Sequence, residues 1–251
     1  MAKTARRTMC KQTLGSIMTF SLLESLIRDN AFGSEVSPVV NKWVAELDAI
    51  GRDVKGQKIP QIIWQEKVEE LFAKVDLDDL LTLVDFKKIT SGVKIPDNGA
   101  KSLRFEFPEV EGIPKQLVFG KQIFALKKDR SVVPHGHNNM ATAFLILGGE
   151  LHGRHYDRVE DEKEHIIIRP TIDRSFGAGE FSSVSDYKDN IHWFKATSDV
   201  AYIFNIHVLD ARPKNDLPTG RVYLNPNGEK LKDGLIRAPR IGHTESHKLF
   251  G

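Results

Sequence analysis

Cysteine is almost absent from this chain, because Cys10 is the only one among 251 residues. A single thiol excludes an intrachain disulfide framework and a zinc site built from several cysteines. A strong excess of one charge is also lacking, since 36 Lys and Arg stand against 34 Asp and Glu. The two signs are interspersed along the sequence, so we expect no nucleic-acid partner, whose phosphates would need a clustered basic surface. Any protein-bound metal would be held by histidine and carboxylate side chains.

Long apolar runs and nucleotide-binding motifs are missing as well. No run of 18 apolar residues occurs, so we expect no integral membrane segment in the mature chain. The segment Gly177-Ala178-Gly179 has Ser182 where a dinucleotide-binding loop needs its third glycine. The composition, with 40% hydrophobic and 28% charged residues, is typical of a globular protein with a sizeable core.

The first 33 residues differ from the rest of the sequence. A basic start with the pair Arg6-Arg7 is followed by a mostly apolar run over residues 14–27 and by small residues up to Gly33. This order is typical of an export signal, and the arginine pair resembles the start of a twin-arginine signal. We therefore expect a bacterial protein exported to the periplasm and cleaved near residue 33. The alternative is an amphipathic helix in a cytoplasmic protein.

Residues 34–99 form the second predicted part, a helical N-terminal segment. Apolar residues recur at intervals of three and four around Trp43 and Leu47, and again around Val68 and Phe72. Residues 91–100 are rich in turn formers and show no periodicity. We place the boundary to the third part, residues 100–251, at this turn-rich stretch.

Beyond residue 100 the period changes to two, which is typical of strands. Leu103, Phe105 and Phe107 alternate with charged residues. The further predicted strands lie at residues 117–119, 123–126, 143–147, 150–159, 165–168, 180–184, 191–195 and 200–209. Many short strands with no helix between them predict a sandwich or a closed double-sheet barrel.

Histidines in the strand-rich part are the residues with the most promising chemistry. His135 and His137 flank Gly136, and in an extended segment residues two apart project from the same face. His192 stands alone in an apolar strand, where a buried imidazole needs a partner. These three side chains are the candidate metal ligands. The alternative for each one alone is a surface or hydrogen-bonded histidine.

Two motifs around these histidines carry a family resemblance. The segment from Pro134 to Met140 reads P-H-G-H-N-N-M, with methionine three residues beyond the second histidine, and residues 190–196 read N-I-H-W-F-K-A. Together they resemble the motifs of cupin barrels, and more narrowly those of plant cysteine oxidases and cysteamine dioxygenases. The resemblance covers residues 122–208, about a third of the chain. It implies a mainly β fold, a cupin double-stranded β-helix barrel of jelly-roll type, preceded by the helical segment.

The resemblance also implies a chemistry. His135, His137 and His192 would be the catalytic, Fe(II)-binding residues, and O2 would oxidise a thiol to a sulfinic acid. The thiol would be cysteamine, cysteine or a peptide with an N-terminal cysteine. Thr142 stands where many cupins carry a glutamate ligand, and its lack of a carboxylate is shared with the thiol dioxygenases.

Other polar residues are expected around this metal. Thr142, His152 and His207 are predicted to lie next to the ligands, with His152 matching a family histidine. His165, His243 and His247 stand beside charges or in the polar C-terminal tail and are expected to be solvated. Two alternative functions remain open: a non-catalytic cupin that binds a small molecule, and a hydrolase or lyase with zinc on three histidines.

Overall fold

Helices make up the first part of the described chain and strands most of the rest. The computed structural model describes residues 38–109, 111–212 and 218–251, so the predicted export signal and Cys10 lie outside the described residues. Four helices come first: α1 (Pro38–Lys55), α2 (Gln61–Phe72), α3 (Leu77–Leu83) and α4 (Phe86–Thr90). No helix in this described part has the length and apolar composition needed to cross a membrane.

The helices form where the apolar periodicity predicts them. Trp43 and Leu47 of α1 are buried together with Trp64 and Phe72 of α2, and the Trp43 indole donates a hydrogen bond of 2.8 Å to the carbonyl of Leu71. These helices bury their apolar faces against the barrel that follows, within one hydrophobic cluster that also contains strand residues.

Twelve strands follow in the described residues. They are β1 (Lys101–Leu103), β2 (Gly120–Lys127), β3 (Ser131–Asn138), β4 (Met140–Gly148), β5 (Leu151–Asp161), β6 (His165–Phe176), β7 (Phe181–Val184), β8 (Ile191–Ala196), β9 (Val200–Leu209), β10 (Gly220–Leu224), β11 (Glu229–Lys230) and β12 (Ile236–Ile241). A 3₁₀ turn spans Lys232–Gly234, and α5 (His243–Phe250) ends the chain.

The strand pairings are nested, as in a long hairpin wound into a barrel. Strand β2 pairs with β9, β3 with β8, β4 with β7 and β5 with β6, all antiparallel. The strands fall alternately into a five-stranded sheet, β1-β2-β9-β4-β7, and a seven-stranded sheet, β10-β3-β8-β5-β6-β12-β11. This is the topology of a jelly roll, so the predicted double-stranded β-helix fold is confirmed.

Strand β4 is buried on both faces, which explains why its sequence is almost continuously apolar. Ala143 and Leu145 belong to the cluster shared with the helices, whereas Phe144 and Ile146 belong to the cluster inside the barrel. Successive side chains of a strand point to opposite faces. The helices therefore cover the outside of the five-stranded sheet, and Thr142 points into the barrel with Phe144.

Two strand predictions were wrong in detail. Residues 117–119 are not in a strand, because the amide of Val118 donates to the Asp48 carboxylate of α1 at 2.6 Å instead of to a neighbouring strand. Phe105 and Phe107 alternate and are buried, but β1 ends at Leu103. Their rings pack on each other with centroids 5.3 Å apart. An alternating pattern can thus bury two rings without a hydrogen-bonded ladder.

Candidate metal centre

Three histidine side chains converge inside the barrel. One ring nitrogen from each of His135, His137 and His192 lies within 4.8 Å of those of the other two, and all three residues are buried. Their ring centroids are 4.2 to 5.1 Å apart. The structure therefore brings together the three residues that the sequence analysis singled out, in an arrangement that could hold a metal ion.

Strand pairing explains the convergence. His135 of β3 and His192 of β8 are directly opposite each other in the antiparallel pair, next to an irregularity between Val132 and His135. His137 projects from the same face of β3 two residues further on. Gly136 between them has no space for a side chain, since an added Cβ would lie 2.7 Å from the Asn190 side-chain oxygen.

Hydrogen bonds orient two of the three rings. The Nδ1 of His135 lies 2.8 Å from the carbonyl oxygen of Val133, which can only accept, so this nitrogen carries the proton and Nε2 has a free lone pair. The Nδ1 of His137 lies 3.1 Å from the Thr142 hydroxyl. The Nε2 of His137 is buried and has no partner among the described residues. Buried imidazole nitrogens without a partner fit a site for a metal ion.

Burial keeps the three rings neutral. Loss of hydration lowers the pKa of His135 to about 3, and it lowers the pKa of His137 and of His192 well below 6.5. Metal ions bind the neutral form of imidazole. At neutral pH each of the three rings therefore has one nitrogen without a proton, and a metal ion could bind there without displacing one.

A cavity of 280 Å³ opens onto the triad. None of the described residues that line it is aspartate or glutamate. The lining comprises Ala100, Ser102, Gln122, Phe124, Ser131, Val132, Val133, His135, His137, Met140, Thr142, Phe144, His192, Asn205, His207, Arg221, Tyr223, His243 and His247. The donor set at this site is thus three neutral nitrogens without a carboxylate.

Thr142 and His207 lie where the sequence analysis expected them, beside the triad in the cavity wall. They are directly opposite each other on β4 and β9. The His207 ring lies across Gly120 of β2, where an added Cβ would come within 2.3 Å of its Nε2. Burial lowers the pKa of His207.

His152 does not lie beside the triad, which corrects the sequence interpretation. It is on the outer face of β5, with 35% of its side chain exposed, and its Nε2 pairs with the Asp173 carboxylate at 2.5 Å. The inward position belongs to His155, which is fully buried and directly opposite His192 in the β5–β8 pair. The inner face of β5 is marked by Gly153, where an added Cβ would lie 2.5 Å from the Phe176 ring.

The C-terminal part adds residues that the sequence analysis missed. Arg221 and Tyr223 of β10 line the cavity, and so do His243 and His247 of α5. His243 is exposed, as expected, whereas His247 is half-buried, and neither was expected to face a cavity. The His243 ring packs against Tyr223 at 5.1 Å and against His247 at 4.5 Å. The alternation of Arg221 and Tyr223 is too short a signal to place them there.

Because His155 is fully buried, we expect the folded state of the metal-free protein to lose stability as the pH falls. Burial, with a smaller effect from the charge of Arg174, lowers the pKa of His155 to about 3, against about 6.5 for an unfolded chain. Between these values only the unfolded state takes up this proton. The free energy of unfolding should therefore fall with pH from about 6.5 downward, by up to about 1.4 kcal/mol per pH unit for this group.

Denaturant unfolding at pH 7, 6 and 5 measures this slope. The variant His155→Leu should lose the share of the slope that His155 contributes. His152→Leu is the matched control, because it removes a histidine from the opposite face of the same strand and leaves the buried His155 ring in place. Equal slopes in His155→Leu and in the unchanged protein would contradict the prediction.

No protein-family model matches this sequence, and no curated protein sequence does. Among solved structures, procruciferin, an 11S globulin from Brassica napus, is 12% identical over 43% of this chain and 23% of its own, with a TM-score of 0.32. A cupin superfamily protein from Desulfitobacterium hafniense DCB-2 is 14% identical over 47% of this chain and 84% of its own, with a TM-score of 0.31. An 11S allergen from Cocos nucifera is 16% identical over 41% of this chain and 24% of its own, with a TM-score of 0.30.

This chain spans about a quarter of the length of the globulins that it matches. Likenesses at this level say nothing about activity, and the fold assignment rests on the nested strand pairings. The chain thus has a jelly-roll barrel of the double-stranded β-helix type, and three buried histidines inside it could hold a metal ion.

Proposed function

We propose that this chain is an Fe(II)-dependent dioxygenase that oxidises a thiol to a sulfinic acid with O2. One observation carries the proposal: three buried, neutral imidazoles converge within 4.8 Å in a cavity whose described lining contains no carboxylate. The sequence resemblance around His135, His137 and His192 to thiol dioxygenases supports the same chemistry.

The donor set favours an anionic substrate atom. Three neutral nitrogens leave both positive charges of a divalent ion uncompensated, whereas a carboxylate ligand would cancel one of them. A thiolate is a soft anion that fits such a site. When bound there, Fe(II) would supply the Lewis acidity and the electrons that dioxygen chemistry requires. The overall reaction adds both atoms of O2 to sulfur, so a thiol RSH becomes RSO2H.

The residues of the chain would orient the ligands and shield the site. The Val133 carbonyl and the Thr142 hydroxyl contact the Nδ1 atoms of His135 and His137, respectively, and so fix the orientation of these two rings. The Phe144 ring lines the cavity and packs on His192 with centroids 4.7 Å apart, so it gives this ligand an apolar neighbour. An apolar wall of this kind would limit the access of water to the triad.

The test is thiol-dependent oxygen consumption by protein of known metal content. Protein reconstituted with Fe(II) under anaerobic conditions should contain about one iron per chain, and O2 uptake should begin only when a thiol is added. The panel comprises cysteamine, cysteine, 3-mercaptopropionate and a peptide with an N-terminal cysteine. Mass spectrometry should show a product heavier by two oxygen atoms. Iron-loaded protein that consumes no O2 with any of these thiols would contradict the proposal and favour a binding protein, or a zinc enzyme if native protein carries zinc.

We also propose that the protein is exported by a twin-arginine route. The proposal rests on Arg6-Arg7 and the apolar run that follows, all outside the described residues. N-terminal sequencing of protein from its native host should give a chain that begins near Ser34. Replacing Arg6 and Arg7 by Lys should leave the full-length chain in the cytoplasm. Native protein that begins at Met1 or Ala2 would contradict export.

A further inference from the structure

One charged side chain lines the cavity and has no role in the proposed metal chemistry. Arg221 of β10 is the one lysine or arginine among the described residues that line the cavity. Within the described part of the chain its guanidinium has no hydrogen bond and no ion pair. Guanidinium groups bind carboxylates through two parallel hydrogen bonds. Arg221 is therefore a cation available to a ligand.

Strand pairing places this cation on the same side as the triad. In the antiparallel pair of β10 with β3, Arg221 is directly opposite His137 and Tyr223 is directly opposite His135. Opposite residues of such a pair project from the same face. The His135 and Tyr223 rings are accordingly 5.8 Å apart.

Nothing acidic in the described lining offsets this charge. The other polar groups of the described lining are amides, hydroxyls and imidazoles. They include Gln122 and Asn205, which are hydrogen-bonded to each other at 3.2 Å. A divalent ion on three neutral imidazoles would add two further positive charges to the same cavity. In this environment an anionic group is attracted and an ammonium group is repelled.

We propose that Arg221 binds the carboxylate of the substrate, so that the thiol which this site oxidises is a short mercaptocarboxylate and not a cationic thiol such as cysteamine. This inference rests on the proposed thiol chemistry for the sulfur end of the substrate. The carboxylate end depends on Arg221 alone. The two parts can therefore be tested separately.

The first arm uses the chain without metal and a probe without sulfur. Propionate is titrated into isotope-labelled protein, and the NMR signals of the arginine side chains report binding. Propionate should perturb the Arg221 signal and saturate it, whereas propanamide, its neutral analogue, should not. In Arg221→Gln, propionate binding by calorimetry should weaken at least about tenfold. Arg221→Lys keeps the charge but loses the paired donors, and should lie between the two.

Arg169→Gln is the matched control for this arm. Arg169 is an exposed strand arginine that has no ion pair among the described residues and does not line the cavity. Its replacement should leave propionate binding unchanged. Propionate that does not bind, or that binds Arg221→Gln as well as the unchanged protein, would overturn the inference.

The second arm uses protein loaded with Co(II), which binds thiolates with a visible absorption band and avoids turnover. Three thiols are titrated anaerobically: 3-mercaptopropionate, neutral 2-mercaptoethanol and cationic cysteamine. The carboxylate thiol should bind most tightly and cysteamine most weakly, and Arg221→Gln should remove the advantage of the carboxylate. Thiolate binding that is equal for all three thiols overturns the role of Arg221 but leaves the proposed function intact. Arg221-dependent propionate binding without any thiolate band overturns the proposed function but leaves the anion site intact.

Discussion

Replacing any one of His135, His137 or His192 by alanine should reduce the bound metal from about one ion per chain to close to none. Two imidazoles cannot enclose a divalent ion, and the described cavity lining offers no carboxylate that could replace the third. The single variants should therefore behave alike. Metal analysis after dialysis against a weak chelator measures the outcome, and thermal unfolding with and without added Fe(II) measures it independently, because a bound ion stabilises the folded state.

Two histidines outside the triad provide controls for this prediction. His152→Ala removes an exposed imidazole on the outer face of β5, and His165→Ala removes one that pairs with Glu162 at 3.7 Å. Both variants should keep the full metal content and the stabilisation by Fe(II). A His192→Ala protein that retains a full complement of metal would disprove the three-histidine site.

The pairing of His135 with His137 could be predicted because it depends on a local property. Residues two apart in a strand always share a face, whatever the strand pairs with. The participation of His192 could not be derived in that way. It depends on the register between β3 and β8, which are far apart in sequence. The sequence suggested it only through the isolated place of His192 in an apolar strand and through the resemblance in residues 190–196.

The error at His152 has a related cause. Alternation places His152 and His155 on opposite faces of β5, but it does not say which face is inside. Close packing inside the barrel determines which face of β5 points inward, since Gly153 lies against the Phe176 and Phe194 rings on the inner face. His155 follows Gly153 on that face. A glycine between larger residues of a strand was the one local signal that could have identified the inner face.

The mouth of the cavity was the least predictable part of the site. Strand β10 has only five residues, and α5 has a single buried residue, Ser246. Neither segment shows the apolar periodicity that identifies an element in a sequence. Arg221 and His247 reach the cavity because β10 and α5 pack against β3 at the end of the chain. The sequence therefore predicted the three converging histidines, whereas the groups at the open end of the cavity became evident only from the tertiary structure.

Replacing Thr142 by glutamate should abolish thiol-dependent O2 uptake while the metal is retained. Thr142 is buried, it faces the cavity, and its hydroxyl contacts the Nδ1 of His137. A carboxylate at this position would neutralise one charge of the metal and occupy space that an anionic substrate needs. Metal analysis should show one iron per chain, and titration of the Co(II) form with 3-mercaptopropionate should show little or no thiolate absorption.

Thr142→Val is the matched variant, because it keeps the shape of the side chain and removes only the hydroxyl. The loss of the hydrogen bond to His137 should weaken metal binding by about tenfold or more, but uptake should persist when Fe(II) is saturating. The pair of variants thus separates two roles of position 142: support of a ligand ring, which the valine removes, and absence of a negative charge, which the glutamate reverses. Full uptake in an iron-loaded Thr142→Glu protein would show that the missing carboxylate is not what suits this site to a thiolate.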